Sequence, residues 1–419
     1  MFAKTYGAMT LGIDGRMIDV EVDVSPGRPG FELVGLPDTS IKESKERVHT
    51  AIRNSGIQLR QERVTVNLTP VDVRKDSSGL DLPIAVGLLA SYGMVPEAAV
   101  QQALFSAELS LDGNCRPISG ILPMAITARE HGLTEFYVAP SNADEALLID
   151  GLKVFAVENL AQLVRHLTGV ETLTSAVPQA TEQKKDAAFT DDFADVQGQY
   201  QAKRALEIAA AGGHNVLMVG VPGSGKTMLA SRLPTILPDL DPDTALVTTS
   251  LHSVAGLVPA GLQLLTRPPL QAPHHSVTMP ALIGGGSRSL APGAASLAHG
   301  GVLFLDEATE FAPSVLDSLR EPLESGRIHL HRSGVHATYP AAFQLVMASN
   351  PCPCGGGRGG RGCSCSSLNR RRYLSRLSGP LLDRMDIRID MHTPSRADMA
   401  TGAAQDSASM RQRVCEARE

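Results

Sequence analysis

The octet Gly220, Val221, Pro222, Gly223, Ser224, Gly225, Lys226 and Thr227 constrains this chain more than any other stretch, because every fixed position of a phosphate-binding loop is filled. An apolar run from Asn215 to Val219 precedes it, and a helix-compatible run from Met228 to Leu233 follows. The order is strand, loop, helix. Glycines in such a loop admit positive φ and close backbone approach, so successive N–H groups and the positive end of the next helix can face phosphates. Lys226 is expected at the β and γ phosphates and the Thr227 hydroxyl on Mg²⁺, with Gly220 to Met228 as the ATP-binding stretch. A chance Gly-rich turn is the competing reading, and the segments that follow weigh against it.

Gly301 to Leu305 reads as a buried strand of the parallel type ending in Asp306 and Glu307, a Walker B pattern. Asp306 is expected to hold Mg²⁺ through water, and Glu307 to polarise the water that attacks the γ-phosphate. A third apolar strand, Phe343 to Ala348, ends in Ser349 and Asn350, which makes Asn350 the sensor candidate. Arg384, in the stretch Leu381 to Asp386, is the fourth element. It could form an ordinary ion pair with Asp383 or Asp386. In a ring ATPase an arginine here enters the next subunit's site and neutralises transition-state charge, an effect of about 10³-fold or more. That reading requires an oligomer.

A length of 419 residues suggests two or three domains, and 43% hydrophobic with 20% charged residues is ordinary for a globular chain. With a net charge of −6, nucleic-acid binding requires a local basic patch. The amino terminus carries no basic segment followed by an apolar core, and no apolar run approaches the ~20 residues that span a bilayer. A cytoplasmic protein without a membrane partner is expected.

Residues 1–168 are expected to form an α/β domain of their own, with strands such as Met17 to Val24 and Arg63 to Leu68 and helices from Ser40 to Ser55 and Leu82 to Tyr92. Residues 169–192 read as a linker, 193–395 as an ATPase domain of parallel sheet with helices on both faces, and 396–419 as the start of a helical lid. Asp195 to Ala211 is expected to be a long helix whose Val196 to Gln199 turn packs on adenine. Glu324 to Thr338 reads as a β-hairpin turning at Ser333 and Gly334, with His331 and Arg332 projecting from its tip toward a central pore.

Two C-x-C pairs, Cys352 with Cys354 and Cys363 with Cys365, flank the low-complexity run Gly355 to Gly362. They can place four thiolates around one tetrahedral Zn²⁺; reduced free thiols and a redox disulfide pair remain as alternatives. Arginines concentrate from Arg358 through Arg361, Arg370, Arg371, Arg372, Arg376, Arg384 and Arg388 to Arg396, against Asp383, Asp386 and Asp390. Arg370, Arg371 and Arg372 are expected on nucleic-acid backbone, and Arg376 and Arg384 in intersubunit ion pairs or phosphate contacts.

Taken together, Asp195 to Gln199, Gly212 to Asn215, the phosphate-loop octet, Ala272 to His275, Ser296 to Glu307, Asn350 to Gly355 and Ser378 to Arg384 resemble the ComM/YifB branch of the magnesium-chelatase-like AAA+ ATPases. The resemblance implies an AAA+ core, an insert in its second helix placed within Thr248 to Pro268, hexameric rings, and action on DNA as a helicase driving branch migration when transforming DNA is integrated. A chaperone-like remodeller or a metal-chelatase-type ATPase is the runner-up, and an inactive regulatory protein the third reading. The amino-terminal half resembles a Lon-protease-type domain through Lys75 to Pro83 and Pro117 to Ile121. There the position of the Lon serine falls on Gly79, and no lysine follows Gly120, so Ser77 and Ser78 lack a base and no peptidase activity is expected. The family's lid supplies a sensor arginine, whereas only Met410 to Glu419 follows here, leaving Arg413 and Arg418 unassigned.

Overall fold

The structure is a computed structural model that describes the chain apart from residues 72–74, 76, 179–190, 259–263, 287–289, 333–334, 357–362 and 395–404, and gives backbone alone at Thr39, Ser40, Lys42, Arg332 and Val335. Half of the expected linker, the Ser333–Gly334 turn, the Arg332 side chain, Arg358, Arg361 and Arg396 therefore lie outside the described residues. The chain divides into two compact units: residues 1–181 with 252–264 and 331–337, and residues 182–251, 265–330 and 338–419.

The first unit is built on a seven-stranded mixed sheet in the order Gly30–Val34, Arg63–Thr69, Asp14–Ser25, Phe2–Leu11, Ala103–Ser106, Glu135–Val138, Lys153–Ala156. Strand Asp14–Ser25 alternates as its sequence does: Ile18, Val20, Val22 and Val24 are buried and the acids between them face outward. Helix Thr39–Asn54 starts where Asp38 accepts a hydrogen bond from the Ile41 N–H at 3.1 Å, an N-cap. Helix Asp81–Ser91 is buried almost throughout, so its own acid needs a partner: Arg47 donates to both Asp81 carboxylate oxygens, at 2.7 and 3.0 Å.

The second unit holds a five-stranded sheet in the order Leu270–Gln271, Val302–Leu305, Gln344–Ser349, Val216–Gly220, Ile387–Met391, with every pairing parallel. Alternate residues of these strands feed two separate cores. Val216, Met218, Val302, Phe304, Val346 and Ala348 pack with Leu206, Leu229, Leu233 and Met410 on one face. Leu217, Leu303, Leu305, Leu345 and Met347 pack with Leu282, Phe311, Leu316 and Leu381 on the other. A near-continuous apolar run is what a strand covered on both faces requires, and each fully buried Leu or Val contributes about 1.5–3 kcal/mol. The chain's first strand in this sheet lies between its fourth and fifth, so a crevice opens beyond the carboxyl ends of Val216–Gly220 and Gln344–Ser349, the position where open α/β sheets take ligands.

Two expectations need correction. Asp195 to Ala211 is not one helix: Phe193–Asp195 is a single 3₁₀ turn, Gly198 and Gln199 take left-handed φ of 65° and 54°, and the α-helix runs from Tyr200 to Gly212. The helix-two insert also lies elsewhere. Pro242–Val254 is a continuous helix through the first part of the expected segment, of which 259–263 lie outside the described residues. Between strands Leu270–Gln271 and Val302–Leu305, helices Met279–Ile283 and Ala294–Leu297 are instead separated by a two-stranded ribbon pairing Gly284–Gly285 with Ala291–Pro292. Strands Arg327–Arg332 and Val335–Pro340 pair as the expected hairpin.

Candidate nucleotide site

The phosphate loop closes strand Val216–Gly220 and opens helix Lys226–Arg232. Gly223 and Gly225 have φ of 77° and 89°, with open space where a side chain would stand, so backbone conformation alone selects glycine there. Gly220 is selected by crowding: an added Cβ would meet the Met391 carbonyl at 2.7 Å and Ser224 Oγ at 2.8 Å. Val221 and Pro222 form the outer arm of the loop, and Met228 is half-exposed on the helix's first turn.

Lys226 is 8% exposed, and its three ammonium donors meet three acceptors: Gly220 O at 2.7 Å, Val221 O at 3.1 Å and Asn350 Oδ1 at 3.3 Å. Burial lowers its pKa from the ordinary lysine value, against the pull of Asp306 and Glu307. Thr227 Oγ1 donates to Asp306 Oδ2 at 2.6 Å, and the Glu307 N–H donates to Asp306 Oδ1 at 2.9 Å. Glu307 itself sits at a φ of 51°, a conformation costing about 1–3 kcal/mol for a non-glycine residue that characteristically survives at functional sites. Its Oε2 lies 3.5 Å from His275 Nδ1, and the His275 ring packs against that of His274, centroids 4.0 Å apart and tilted by 35°. Ser349 is held from below by Thr309, hydroxyl to hydroxyl at 3.2 Å.

Phosphates and Mg²⁺ fit these residues. The Ser224 hydroxyl is buried without a hydrogen-bond partner, an orphaned donor inside an anion loop, and a paired Thr hydroxyl and Asp carboxylate form an oxygen ligand set that suits Mg²⁺.

Two further residues bear on this site. His275 has no role in the sequence reading, and Gln199, expected only within the turn that packs on adenine, has its amide donate to Ser224 O at 2.8 Å and His392 O at 2.6 Å, tying the loop to the turn before helix Tyr200–Gly212. Both lie inside the segments Asp195 to Gln199 and Ala272 to His275 that carried the family resemblance. Val196 is buried beside Phe193 in the core.

Arg384 stands at the opposite, amino-terminal end of these strands. Asn215, at the start of the phosphate-loop strand, donates its side-chain amide to Arg384 O at 3.0 Å and its N–H to Asp386 at 2.8 Å. The loop lies at the strand's far end, five residues on, about 16 Å away at ~3.3 Å per residue. The Arg384 guanidinium pairs with Glu324 of the same chain, rather than with Asp383 or Asp386. Arg376 likewise pairs within the chain, with Glu310 at 3.2 Å and the Thr309 carbonyl at 3.0 Å. Arg413 is engaged with Glu207, and Arg418 with the Ala210 carbonyl.

The four cysteines converge, all sulfurs lying within 4.8 Å of one another. Sulfur separations are 3.4 Å for Cys352–Cys354, 3.7 Å for Cys352–Cys363 and 3.5 Å for Cys354–Cys363, with Cys365 completing the set and all four thiols free. The Gly356 N–H, together with the neighbouring thiols, lowers the Cys354 pKa to about 6. Arg370, Arg371 and Arg372 lie on helix Ser367–Leu374, the latter two exposed. On the hairpin His331 is exposed and sits edge-on to His336, centroids 4.7 Å apart.

Residues 192–399 match the family model described as magnesium chelatase, subunit ChlI, and residues 20–142 match that described as subunit ChlI of Mg-chelatase. The chain is 43% identical to competence protein ComM of Haemophilus influenzae, covering all of this chain and 82% of that protein. It is 42% identical to the uncharacterised protein YifB of Escherichia coli over 98% of this chain and 80% of the relative. An uncharacterised protein of Mycobacterium tuberculosis is 44% identical over 99% of this chain and 82% of its own length. The chain therefore belongs to the ComM/YifB family of magnesium-chelatase-like AAA+ ATPases.

Proposed function

We propose that this protein is an ATP-hydrolysing ring motor, a hexamer of identical chains, that acts on DNA and promotes branch migration during integration of transforming DNA. The observation that carries the reading is the placement of Arg384. It lies at the opposite end of the strands from its own phosphate loop, which supports a site whose γ-phosphate arginine comes from a neighbouring subunit.

Within one chain, Lys226, the loop N–H groups and the Ser224 hydroxyl hold the phosphates, and Gln199 fixes the loop by its Ser224 carbonyl. Mg²⁺ held by Thr227 and Asp306 supplies charge neutralisation. Asn350 orients a water, and Glu307 Oε takes its proton as that water attacks. Arg384 leaves Glu324 and neutralises charge in the adjoining site. Exposed Arg371 and Arg372, with Arg370, His331 and Arg332, contact nucleic-acid phosphate. Cys352, Cys354, Cys363 and Cys365 would hold one Zn²⁺ as thiolates: the 3.4, 3.7 and 3.5 Å separations among the first three are near the ~3.8 Å that Zn–S bonds of ~2.3 Å require.

The first unit is read as a Lon-type domain without peptidase activity. A side chain at Gly79 would meet Ile118 at 2.5 Å and the Ser77 and Ser106 hydroxyls at 3.2 Å, which supports a missing nucleophile.

ATPase assays with and without branched DNA test the motor. DNA stimulation that falls steeply with salt is expected, because phosphate contacts release counterions. No binding and no stimulation by any DNA structure would favour the chelatase-type reading, to which the 26% identity with the magnesium-chelatase 38 kDa subunit of Rhodobacter capsulatus, over 43% of this chain, lends support.

A further inference from the structure

We propose that the four-cysteine site controls nucleotide affinity: the metal-closed knuckle braces the phosphate loop, and metal loss loosens the loop. This rests on the zinc reading above and adds a consequence to it.

Three features connect the knuckle to the site. Cys352, fully buried, follows Asn350 by two residues, so the first thiolate anchors the strand tip that reaches Lys226. Gly355 turns back at a φ of 76°, its N–H donating to Cys352 O at 3.0 Å. That turn lies directly against the loop: a Cβ at Gly355 would meet Pro222 Cγ at 2.8 Å and Cδ at 3.0 Å. Gly356 in turn packs on Cys363, where an added Cβ would stand 3.0 Å from the cysteine Cβ. Cys363 to Cys352 is thus one contiguous stack ending on Pro222.

What holds the stack is the metal. Four sulfurs this close repel once ionised, and the Gly-rich sequence between the pairs offers no apolar side chains to bury. With Zn²⁺ bound the repulsion becomes ligation and Gly355 is fixed against Pro222. Without it the sulfurs separate, and the loop loses the wall on its outer arm.

The test measures Zn²⁺ content and the affinity for a fluorescent ATP analogue on the whole purified chain. One Zn²⁺ per chain is expected. Stripping it with a zinc-selective chelator, followed by chelator removal and excess Mg²⁺, is expected to weaken the analogue about tenfold, with Zn²⁺ restoring affinity. Gly355→Ala keeps all four thiols; it is expected to retain Zn²⁺ and still bind the analogue several-fold more weakly. Circular dichroism of each preparation separates these effects from unfolding. Stoichiometric Zn²⁺ with unchanged affinity after stripping and in Gly355→Ala overturns the brace and leaves the metal site standing. No Zn²⁺, with all four thiols freely alkylated, overturns both. A zinc-loaded chain that ignores the analogue overturns the nucleotide reading, and the brace with it.

Discussion

Asn350 Oδ1 lies 3.3 Å from Lys226 Nζ, so the tip of one strand and the cradle at the end of its neighbour share a single ammonium. In the proposed mechanism this is the amide that orients the attacking water. Asn350→Ala is expected to lower kcat about 10²-fold while changing ATP affinity less than tenfold, since a positioned polar group contributes chiefly in the transition state. Steady-state ATPase rates and equilibrium binding separate the two effects. Lost binding with intact turnover at saturation would make Asn350 part of the cradle only.

Glu307 holds a strained backbone conformation, and its carboxylate is paired with His275 at 3.5 Å. Glu307→Gln keeps the volume and the backbone but removes the proton acceptor. It is expected to bind Mg-ATP normally and lose turnover by about 10²–10⁴-fold. His275→Ala leaves the acceptor but frees its orientation, so kcat should fall about tenfold with KM unchanged. Unchanged rates in His275→Ala would reduce the 3.5 Å pair to a surface contact.

Much of the second unit was legible because its signals are local. The phosphate loop is specified by glycines whose backbone demands can be read one by one, and the strands around it by apolar runs that both faces of the sheet must bury. Where reading failed, the deciding interaction came from elsewhere in the fold. Asp195 to Ala211 carries helical periodicity, yet Gln199 is pulled to a φ of 54° by carbonyls 25 and 193 residues away. The ribbon at Gly284–Gly285 and Ala291–Pro292 has two-residue strands, too short for any period to show. The ordinary ion pair that competes with a role in trans for Arg384 is also read wrongly from neighbours in sequence: the guanidinium meets not Asp383 or Asp386 but Glu324, 60 residues back.

In the first unit, stability turns on the Arg47–Asp81 pair. Asp81 is fully buried, and burial pushes its carboxyl above the usual range while Arg47 and Ser44 pull it back. Removing one partner strands the other charge. Arg47→Met is expected to cost about 3–5 kcal/mol, and Arg47→Met with Asp81→Leu considerably less, because no charge is then left unpaired. Urea unfolding followed by circular dichroism reads both variants. Equal losses in the single and double variants would show that packing, and not charge, makes Arg47 necessary.

Arg384 offers the sharpest test of the ring. Its partner Glu324 is exposed, so exchanging that ion pair for a neighbour's phosphates costs little, a surface pair contributing about 0–1 kcal/mol. Arg384→Ala should bind ATP as the parent does and turn over about 10³-fold more slowly. Lys226→Ala fails for the opposite reason, since it lacks the cradle but keeps the arginine. Mixing the two inactive proteins should restore part of the activity: wherever an Arg384→Ala chain receives the arginine of a Lys226→Ala neighbour, one complete site is formed. An arginine acting within its own chain predicts no recovery at any mixing ratio, because each polypeptide then carries its defect alone.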